Sequence, residues 1–366
     1  MSGLKELARS LGLSITTVSR ALAGYGDVAE ATRERVRKAA AAQGYRPNTL
    51  ARRLRSGRSE TVALVLPAEP GHFDEPLFME MIVAIGEWLA RADLDLVVMA
   101  APPGGDEMKV YRRMVEGRRA DAAIVVRTRR RDPRLRFLLD AGFPFIAHGR
   151  SEEKGRYAFV DGDGEAAFRH ATDLLIGLGH ADIALINAPD TLMFAHLRAK
   201  GWRAALAAAG LAPGPVRTGP SSEETGYRHA RELLALERRP SAILCATDRM
   251  AIGALRAVAD AGLRAGRDVS VIGHDNISAA TYTDPPLTTL ELPIHGTGAR
   301  LVEMLLAIVG GADPATLREV WPVRLIERRS HGPAPRNPVH AQPTTLRPTT
   351  NDKPGGNDDR TKDLPP

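Results

Sequence analysis

The sequence predicts an α/β protein in two parts, an N-terminal all-α helix-turn-helix domain and a two-lobed, doubly wound α/β body. Three observations carry that reading. Short apolar stripes at helical spacing fill the first 45 residues. From about Thr61 to Arg329, apolar runs of strand length alternate with helical patterns, the mark of parallel sheets wrapped in helices. Charge divides the same way: residues 1–60 hold 12 Lys and Arg against 5 Asp and Glu, whereas the other 306 hold 38 against 39. A positive field confined to one end is what a nucleic-acid module joined to a neutral body would show.

Leu4, Leu7, Ala8 and Leu11 recur at i, i+3, i+4 and i+7, the stripe of a short amphipathic helix. Gly12 permits a tight turn, and Ser14 can cap a second helix that runs through Leu22. In that helix Val18, Ala21 and Leu22 face inward, which leaves Ile15, Thr16, Ser19 and Arg20 for a DNA groove. A third helix fits Glu30 to Gln43, with Val36, Ala39 and Ala40 inward and Gly44 at its end. A purely structural three-helix bundle would show the same stripes; the next segment weighs against it. Pro47 closes off the third helix, and Asn48 can cap a new one reaching about Arg55. So short a helix is unstable alone, because nucleation costs more than two turns return, and it orders only when docked. Arg52, Arg53, Arg55 and Arg58 make a polyanion the natural partner. Leu54, set among them, suits a wedge between base steps in the minor groove.

The body opens with strands at Thr61–Leu66, Asp95–Ala100, Ala122–Val126 and Phe143–Ala147, with helices at Pro76–Ala92, Glu107–Glu116 and Pro133–Ala141 between them. A second series follows Asp163: a helix to Leu178, strand Ile183–Asn187, helices His196–Ala209 and Glu223–Leu236, strand Ala242–Ala246, helix Arg249–Ala261 and strand Val269–Gly273. Pro285–Leu292 reads as a return crossing, followed by a helix His295–Val309 and a last strand Val320–Ile326. Several crossings between two lobes make a hinged cleft. The expected division is a helix-turn-helix domain at 1–45, a hinge helix and linker at 46–59, and the two-lobed body at 60–329. Lobe 1 takes about 60–160 and 290–320, and lobe 2 about 161–286 and 321–329. Residues 330–366 form a tail whose eight prolines and sparse apolar content predict disorder and dispensability.

Composition excludes several classes. A 43% hydrophobic content over 366 residues supplies core for two or three domains. The single cysteine, Cys245, lies in the apolar run Ala242–Ala246 and reads as a small buried hydrophobe in a reducing compartment. No stretch approaches the roughly 18 apolar residues of a membrane span. The chain also enters its first helix without an apolar signal region, so a cytoplasmic protein with no membrane partner is expected. Gly-rich phosphate loops, metal-spaced clusters and a Gly-x-Ser-x-Gly turn are all missing, so no catalytic residue, metal ligand or cofactor is assigned. His148 beside Asp161 and Asp163 could be imagined as a hydrolytic site, but nothing supplies its nucleophile or oxyanion hole.

Ligands of open α/β sheets bind beyond the carboxyl ends of the strands. His148 and Arg150 end one strand, Asp161 and Asp163 stand at the lobe crossing, Thr247 and Asp248 end another strand, and His274 and Asp275 the next. Arg198 sits at a helix start, and Phe73, Phe78 and Trp88 could stack on a sugar ring. Carboxylate and guanidinium groups of this kind suit a ligand rich in hydroxyls. Other roles compete. Asp161 and Asp248 could each cap the next helix, His148 could be a hydrogen-bonding residue of the wall, and Trp88 could be core. Arg129, Arg130 and Arg131 read as a solvated charge run.

Ser14–Leu22, Thr32–Val36, Gly44–Asn48 and Ala51–Leu54 resemble, in order and spacing, the lactose/galactose repressor (LacI/GalR) family over about residues 4–329. The resemblance implies a periplasmic-binding-protein-like effector domain behind the hinge helix. It also implies effector contacts from Asp163, from Arg198 within Arg198-Ala-Lys-Gly-Trp202, and from Asp275. This chain departs from the family at Gly164, where Asn is common, at His274, where an aromatic residue is usual, and at Thr247, where Asn often stands. Gly24-Tyr, His148–Ser151, Phe159-Val-Asp and Ala184–Asp190 resemble repressors of α-glucoside utilisation operons more narrowly.

The resemblance implies a homodimer on a pseudo-palindromic double-stranded DNA operator. Ile15, Thr16 and Arg20 would read bases, Ser14, Thr17 and Asn48 would hold phosphates or caps, Leu54 would enter the minor groove, and Arg52 would face the polyanion. A small sugar in the cleft, contacted by Phe78, His148, Arg150, Asp161, Asp163, Arg198, Thr247 and Asp275, would change DNA affinity through lobe closure. Two alternatives stay open: a regulator answering to a nucleoside or phosphorylated metabolite, and a sugar-binding transport protein.

Overall fold

The computed structural model describes residues 3–22, 25–45, 59–66, 76–102 and 105–335. The expected hinge helix, with Asn48, Arg52 and Leu54, lies outside the described residues, as do Phe73 and the chain beyond residue 335.

Helices α1 (Leu4–Leu11), α2 (Ile15–Leu22) and α3 (Glu30–Ala42) form the N-terminal unit. Their apolar stripes close on one another: Leu7 and Ala8, Val18 and Ala21, and Val36 and Ala40 are buried together with Val28. The turn at Gly12 is followed by Ser14, whose Oγ accepts the Thr17 N–H at 3.0 Å and so caps α2. Arg35 donates to the Leu11 carbonyl and Gln43 to Ser10 Oγ, tying α3 to the end of α1.

In the first lobe, β1 (Thr61–Leu66), β2 (Asp95–Ala100), β3 (Ala122–Val125), β4 (Phe145–His148) and β5 (Ala158–Gly162) alternate with α4 (Pro76–Arg91), α5 (Glu107–Glu116) and α6 (Pro133–Asp140). A late strand, β11 (Arg318–Trp321), returns to complete a six-stranded parallel sheet in the order β11-β5-β4-β3-β1-β2. The second lobe contains α7 (Gly164–Gly177), β6 (Ile183–Asn187), α8 (Met193–Ala208), β7 (Val216–Thr218), α9 (Glu223–Leu234), β8 (Ala242–Cys245), α10 (Asp248–Asp260), β9 (Ser270–His274), α11 (Ser278–Thr281) and β10 (Thr288–Glu291). Its sheet runs β12-β10-β9-β8-β6-β7, parallel except for the antiparallel edge strand β12 (Arg324–Ile326). Helix α12 (Ile294–Val309) packs its buried face against α4 in the first lobe.

Three expectations need correction. Pro285–Leu292 is more than a crossing: it carries β10, a central partner of β9, and the chain returns to the first lobe only after it. The single last strand is two, because Pro322, which lacks an N–H, interrupts the ladder; β11 serves the first lobe and β12 the second. The tail does not begin at residue 330. Ser330 is fully buried, its Oγ donating to the Val271 carbonyl at 2.6 Å and accepting the Thr288 N–H at 2.8 Å. His331 reaches Thr288 Oγ1, and the Gly332 carbonyl meets His180 Nε2 at 2.9 Å. Residues 330–334 are thus a strap across the second sheet.

Cys245 is fully buried in the core of the second lobe, and burial pushes its thiol pKa up. Among the described residues no helix is long and apolar enough to cross a membrane.

Candidate effector cleft and DNA-reading face

Both sheets end at the same place. The chain crosses between lobes after β5, after β10 and between β11 and β12, and the carboxyl ends of β3, β4, β5, β8 and β9 open onto the space beside those crossings. The cleft there encloses about 1080 Å³, counted out into its open mouth. Part of its lining is apolar, with Leu77, Phe78, Met81, Met193, Leu197, Leu292 and Ile294. The polar part includes Arg127, Thr128, His148, Arg150, Asp161, Arg198, Thr247, Arg249, His274 and Asp275. Seven of the eight effector residues expected from the sequence therefore line one cleft, among them Phe78, which comes from the start of α4.

Asp163 is the exception. Its Oδ1 accepts the Ala166 N–H at 3.2 Å, which caps α7, and the residue is not part of the cleft wall. It stands behind Arg150, whose Nη2 is 3.7 Å from Asp163 Oδ1 and has no hydrogen-bond partner although buried.

In the first lobe, Arg150 donates through Nε to Asp161 Oδ2 at 2.6 Å, so Asp161 serves this pair instead of capping the next helix. His148 lies beside them, and loss of solvent pulls its pKa below the ordinary histidine value despite the Asp161 charge. In the second lobe, Arg198 projects from the second turn of α8, because that helix starts at Met193 and not at His196. Gly201 lets α8 approach α7 closely: a Cβ there would lie 2.0 Å from the Glu165 carbonyl oxygen. Trp202, fully buried, locks the same turn. Arg198 donates through Nη1 to the Ala246 carbonyl and through Nη2 to His274 Nε2 at 3.2 Å. His274 Nδ1 in turn lies 2.8 Å from Asp275 Oδ1. Burial raises the Asp275 pKa to about 6 against the opposing pull of Arg198.

Thr247 caps α10, and Asp248 does not cap it. The Asp248 carboxylate is fully buried and accepts the Ile277 N–H at 3.0 Å and the Thr289 hydroxyl at 2.5 Å. It thereby braces the loop that carries Asp275. Gly273 makes room for it, since a Cβ there would lie 2.2 Å from Asp248 Oδ1. Burial, with the Asp275 charge adding to it, raises the Asp248 pKa to about 7.

Sequence reasoning missed several lining residues, among them Arg127, Thr128 and Phe194. Arg127 and Thr128 follow β3, so the strand-end rule that found His148 also covers them. Phe194 sits one helical turn before Arg198, whose guanidinium lies 4.7 Å above its ring; the i, i+4 spacing was the available signal. Nor are Arg129 and Arg130 a solvated run. Arg129 pairs with Glu107 at 2.7 Å, and Arg130 joins Glu152 at 2.8 Å to Asp190 of the second lobe at 2.7 Å. The Arg130 N–H also donates to the Thr191 carbonyl across the lobes. Trp88 is half-buried against the first-lobe core with Arg91 over its ring, and it does not line the cleft. Among the described residues, no three His, Cys, Asp or Glu side chains gather to hold a metal ion.

At the other end of the chain, α2 presents Ile15, 46% exposed, together with Thr16. Thr17 is engaged in the cap with Ser14, their hydroxyls 2.8 Å apart. Ser19 is half-buried on the same helix. Arg20 pairs with Asp27 at 2.5 Å and stacks on Tyr25 at 4.7 Å. So exposed an ion pair contributes little and can give way to a phosphate or a base.

Comparison with known proteins agrees with this architecture. Residues 3–48 match the profile of bacterial regulatory proteins of the lacI family, and residues 172–331 match a periplasmic binding protein-like domain. The HTH-type transcriptional regulator AglR of Rhizobium meliloti (strain 1021) is 39% identical over 343 residues, 92% of this chain and 96% of that one. RafR of Escherichia coli, also an HTH-type transcriptional regulator, is 37% identical over 87% of this chain and 95% of its own. Among solved structures, the complex of the transcriptional regulator CelR with cellobiose is 30% identical, with a TM-score of 0.69 over 90% of this chain and all of that one. The lac repressor dimer bound to operator and the anti-inducer ONPF is 26% identical, with a TM-score of 0.80 over 90% of this chain and 99% of that one. The chain belongs to the LacI family, whose members are DNA-binding transcriptional regulators.

Proposed function

We propose that this chain is a cytoplasmic, homodimeric repressor of a carbohydrate-utilisation operon, without catalytic activity. Its affinity for a pseudo-palindromic operator is set by a small neutral sugar, an α-glucoside by first choice, closed between the lobes. The observation that carries the sugar reading is the pairing of charges in the cleft. Each lobe sets an arginine with an aspartate, Arg150 with Asp161 and Arg198 with Asp275, while Arg127 and Arg249 also line the cleft. A neutral polyol uses such pairs fully, since every hydroxyl both donates and accepts. The apolar part of the lining, with Phe78 and Phe194, suits the C–H face of a pyranose ring. The solved complex of CelR with cellobiose supports a disaccharide-sized ligand in a relative of this fold.

Ile15, Thr16 and Arg20 read base edges in this proposal, and Ser14, Thr17 and Ser19 hold the helix and its phosphates. Asn48, Arg52 and Leu54 belong to the hinge of the same reading. Closure of the cleft around the sugar changes the spacing of the two DNA-reading units, and a coupling of about 1–3 kcal/mol suffices for a 5–150-fold change in operator affinity.

A thermal-shift screen tests the ligand class. Maltose and other neutral α-glucosides should raise the melting temperature, by an amount equivalent to about 2.7 kcal/mol at a hundred times Kd. Stabilisation by glucose 6-phosphate or a nucleoside, with no neutral sugar active, would overturn the assignment.

A further inference from the structure

Arginine can only donate hydrogen bonds. His274 Nε2, 3.2 Å from Arg198 Nη2, must therefore accept, which leaves the ring's single proton on Nδ1. That Nδ1–H points at Asp275 Oδ1, 2.8 Å away, and donates to it. Both bonds can exist together only while the imidazole is neutral. Its surroundings enforce this. The ring is buried and stacked on Phe168 with centroids 6.1 Å apart, and burial together with the Arg198 charge holds its pKa well below the ordinary histidine value.

We propose that His274 is a positioning residue which joins Arg198 to Asp275 through a neutral Nδ1–H imidazole, orienting both for the hydroxyls of a neutral effector. The inference rests on the cleft being the effector site. Arg198 is held at Nη1 by the Ala246 carbonyl and at Nη2 by His274, so three of its five N–H groups remain, among them the buried Nε–H, which has no partner. Asp275 gives Oδ1 to His274 and also faces the Asp248 N–H, and a carboxylate has about four acceptor positions, so some remain for a ligand hydroxyl. The backbone at Asp275 is held at φ 119, a conformation that persists only when surrounding bonds over-determine it. Arg198 and Asp275 offer donors and acceptors side by side, the combination a hydroxyl uses in full. An aromatic hydrocarbon ring at position 274 would fill the same space and make neither bond.

A proton added to the ring would set an N–H donor against the Arg198 donor and break the link. Arg198 is the charge that acts on the ring, and the groups acting on Arg198 and Asp275 in turn are Asp248 at the start of α10, Asp161 on β5, His148 on β4 and Arg127 after β3.

Two measurements on the full chain test the link. In the ligand-free protein, nitrogen-15 imidazole spectra should show His274 as the neutral Nδ1–H tautomer from pH 6 to 8. An Nε2–H tautomer or a cationic ring at pH 7 overturns the proposal. Maltose titrations of His274→Phe should show affinity lowered about tenfold or more. His274→Gln, whose amide can accept from Arg198 and donate to Asp275, should recover most of that loss. Equal affinity of His274→Phe and the parent chain also overturns it. If maltose fails to bind the parent chain, the α-glucoside reading falls, and the imidazole spectrum still decides the link.

Discussion

The two lobes place the same pair of groups at the cleft and hold them differently. In the first lobe Arg150 touches Asp161 directly, with side chains 27% and 14% exposed. In the second lobe Arg198 is 9% exposed and reaches Asp275 only through His274. A direct pair near water forms with few requirements and can trade partners at small cost. A buried pair must have every group satisfied, and removing one member leaves a charge stranded. On the proposed reading, the second lobe is therefore the rigid half of the site and sets ligand orientation. On the same reading, the first lobe is the adaptable half, which meets the ligand as the cleft closes.

Arg198→Ala breaks that comparison at its strongest point. It strands Asp275 and His274, and effector affinity should fall by at least about a hundredfold in a calorimetric titration, with operator affinity retained. Truncation after Arg329 should be next in size. It removes the buried Ser330 hydroxyl and the His331 and Gly332 bonds to the second sheet, so the melting temperature should drop by several degrees relative to truncation after Pro335.

A third test uses pH. Folding raises the Asp248 pKa from 3.8 to about 7, so the folded chain holds that proton more tightly than the unfolded chain. Its contribution is a loss of stability as pH rises from about 4 to about 7. Asp248→Asn, whose amide can still accept from Ile277 and donate to the Thr289 hydroxyl, should melt above the parent chain at pH 8. The difference should shrink toward pH 4.

Arg150→Ala should lower effector affinity only about tenfold, since water reaches both members of its pair. An effect equal to that of Arg198→Ala would erase the distinction between the lobes. Smallest of all, Asp190→Asn removes the exposed inter-lobe partner of Arg130 and should change stability by no more than about 1 kcal/mol.

Legibility in the sequence followed the range of the interactions. The N-terminal helices were readable because stripe, cap and turn lie within a few residues of one another: Leu7 with Ala8, Ser14 with Thr17. Alternating apolar runs revealed both sheets, and the strand-end rule found Arg150, Asp161, Thr247 and Asp275. What escaped depends on distant partners. Ser330 bonds to Val271 and Thr288, and Gly332 to His180, so a polar, proline-rich segment carried no local sign of order. Arg130 looked solvated because Asp190, its partner, belongs to the other lobe. Asp163 was assigned to the ligand by resemblance; in the structure its carboxylate caps α7. The link through His274 was invisible for a further reason: a histidine in place of an aromatic residue announces a departure without showing what it bonds.

The most direct test of the whole account is an anisotropy titration of the DNA upstream of the gene for this chain, with and without saturating maltose. The parent chain should bind that DNA tightly, and maltose should change its affinity by about 5–150-fold, with Arg198→Ala binding equally well and giving no response. Unchanged affinity of the parent chain with maltose bound, or a full response from Arg198→Ala, would contradict it.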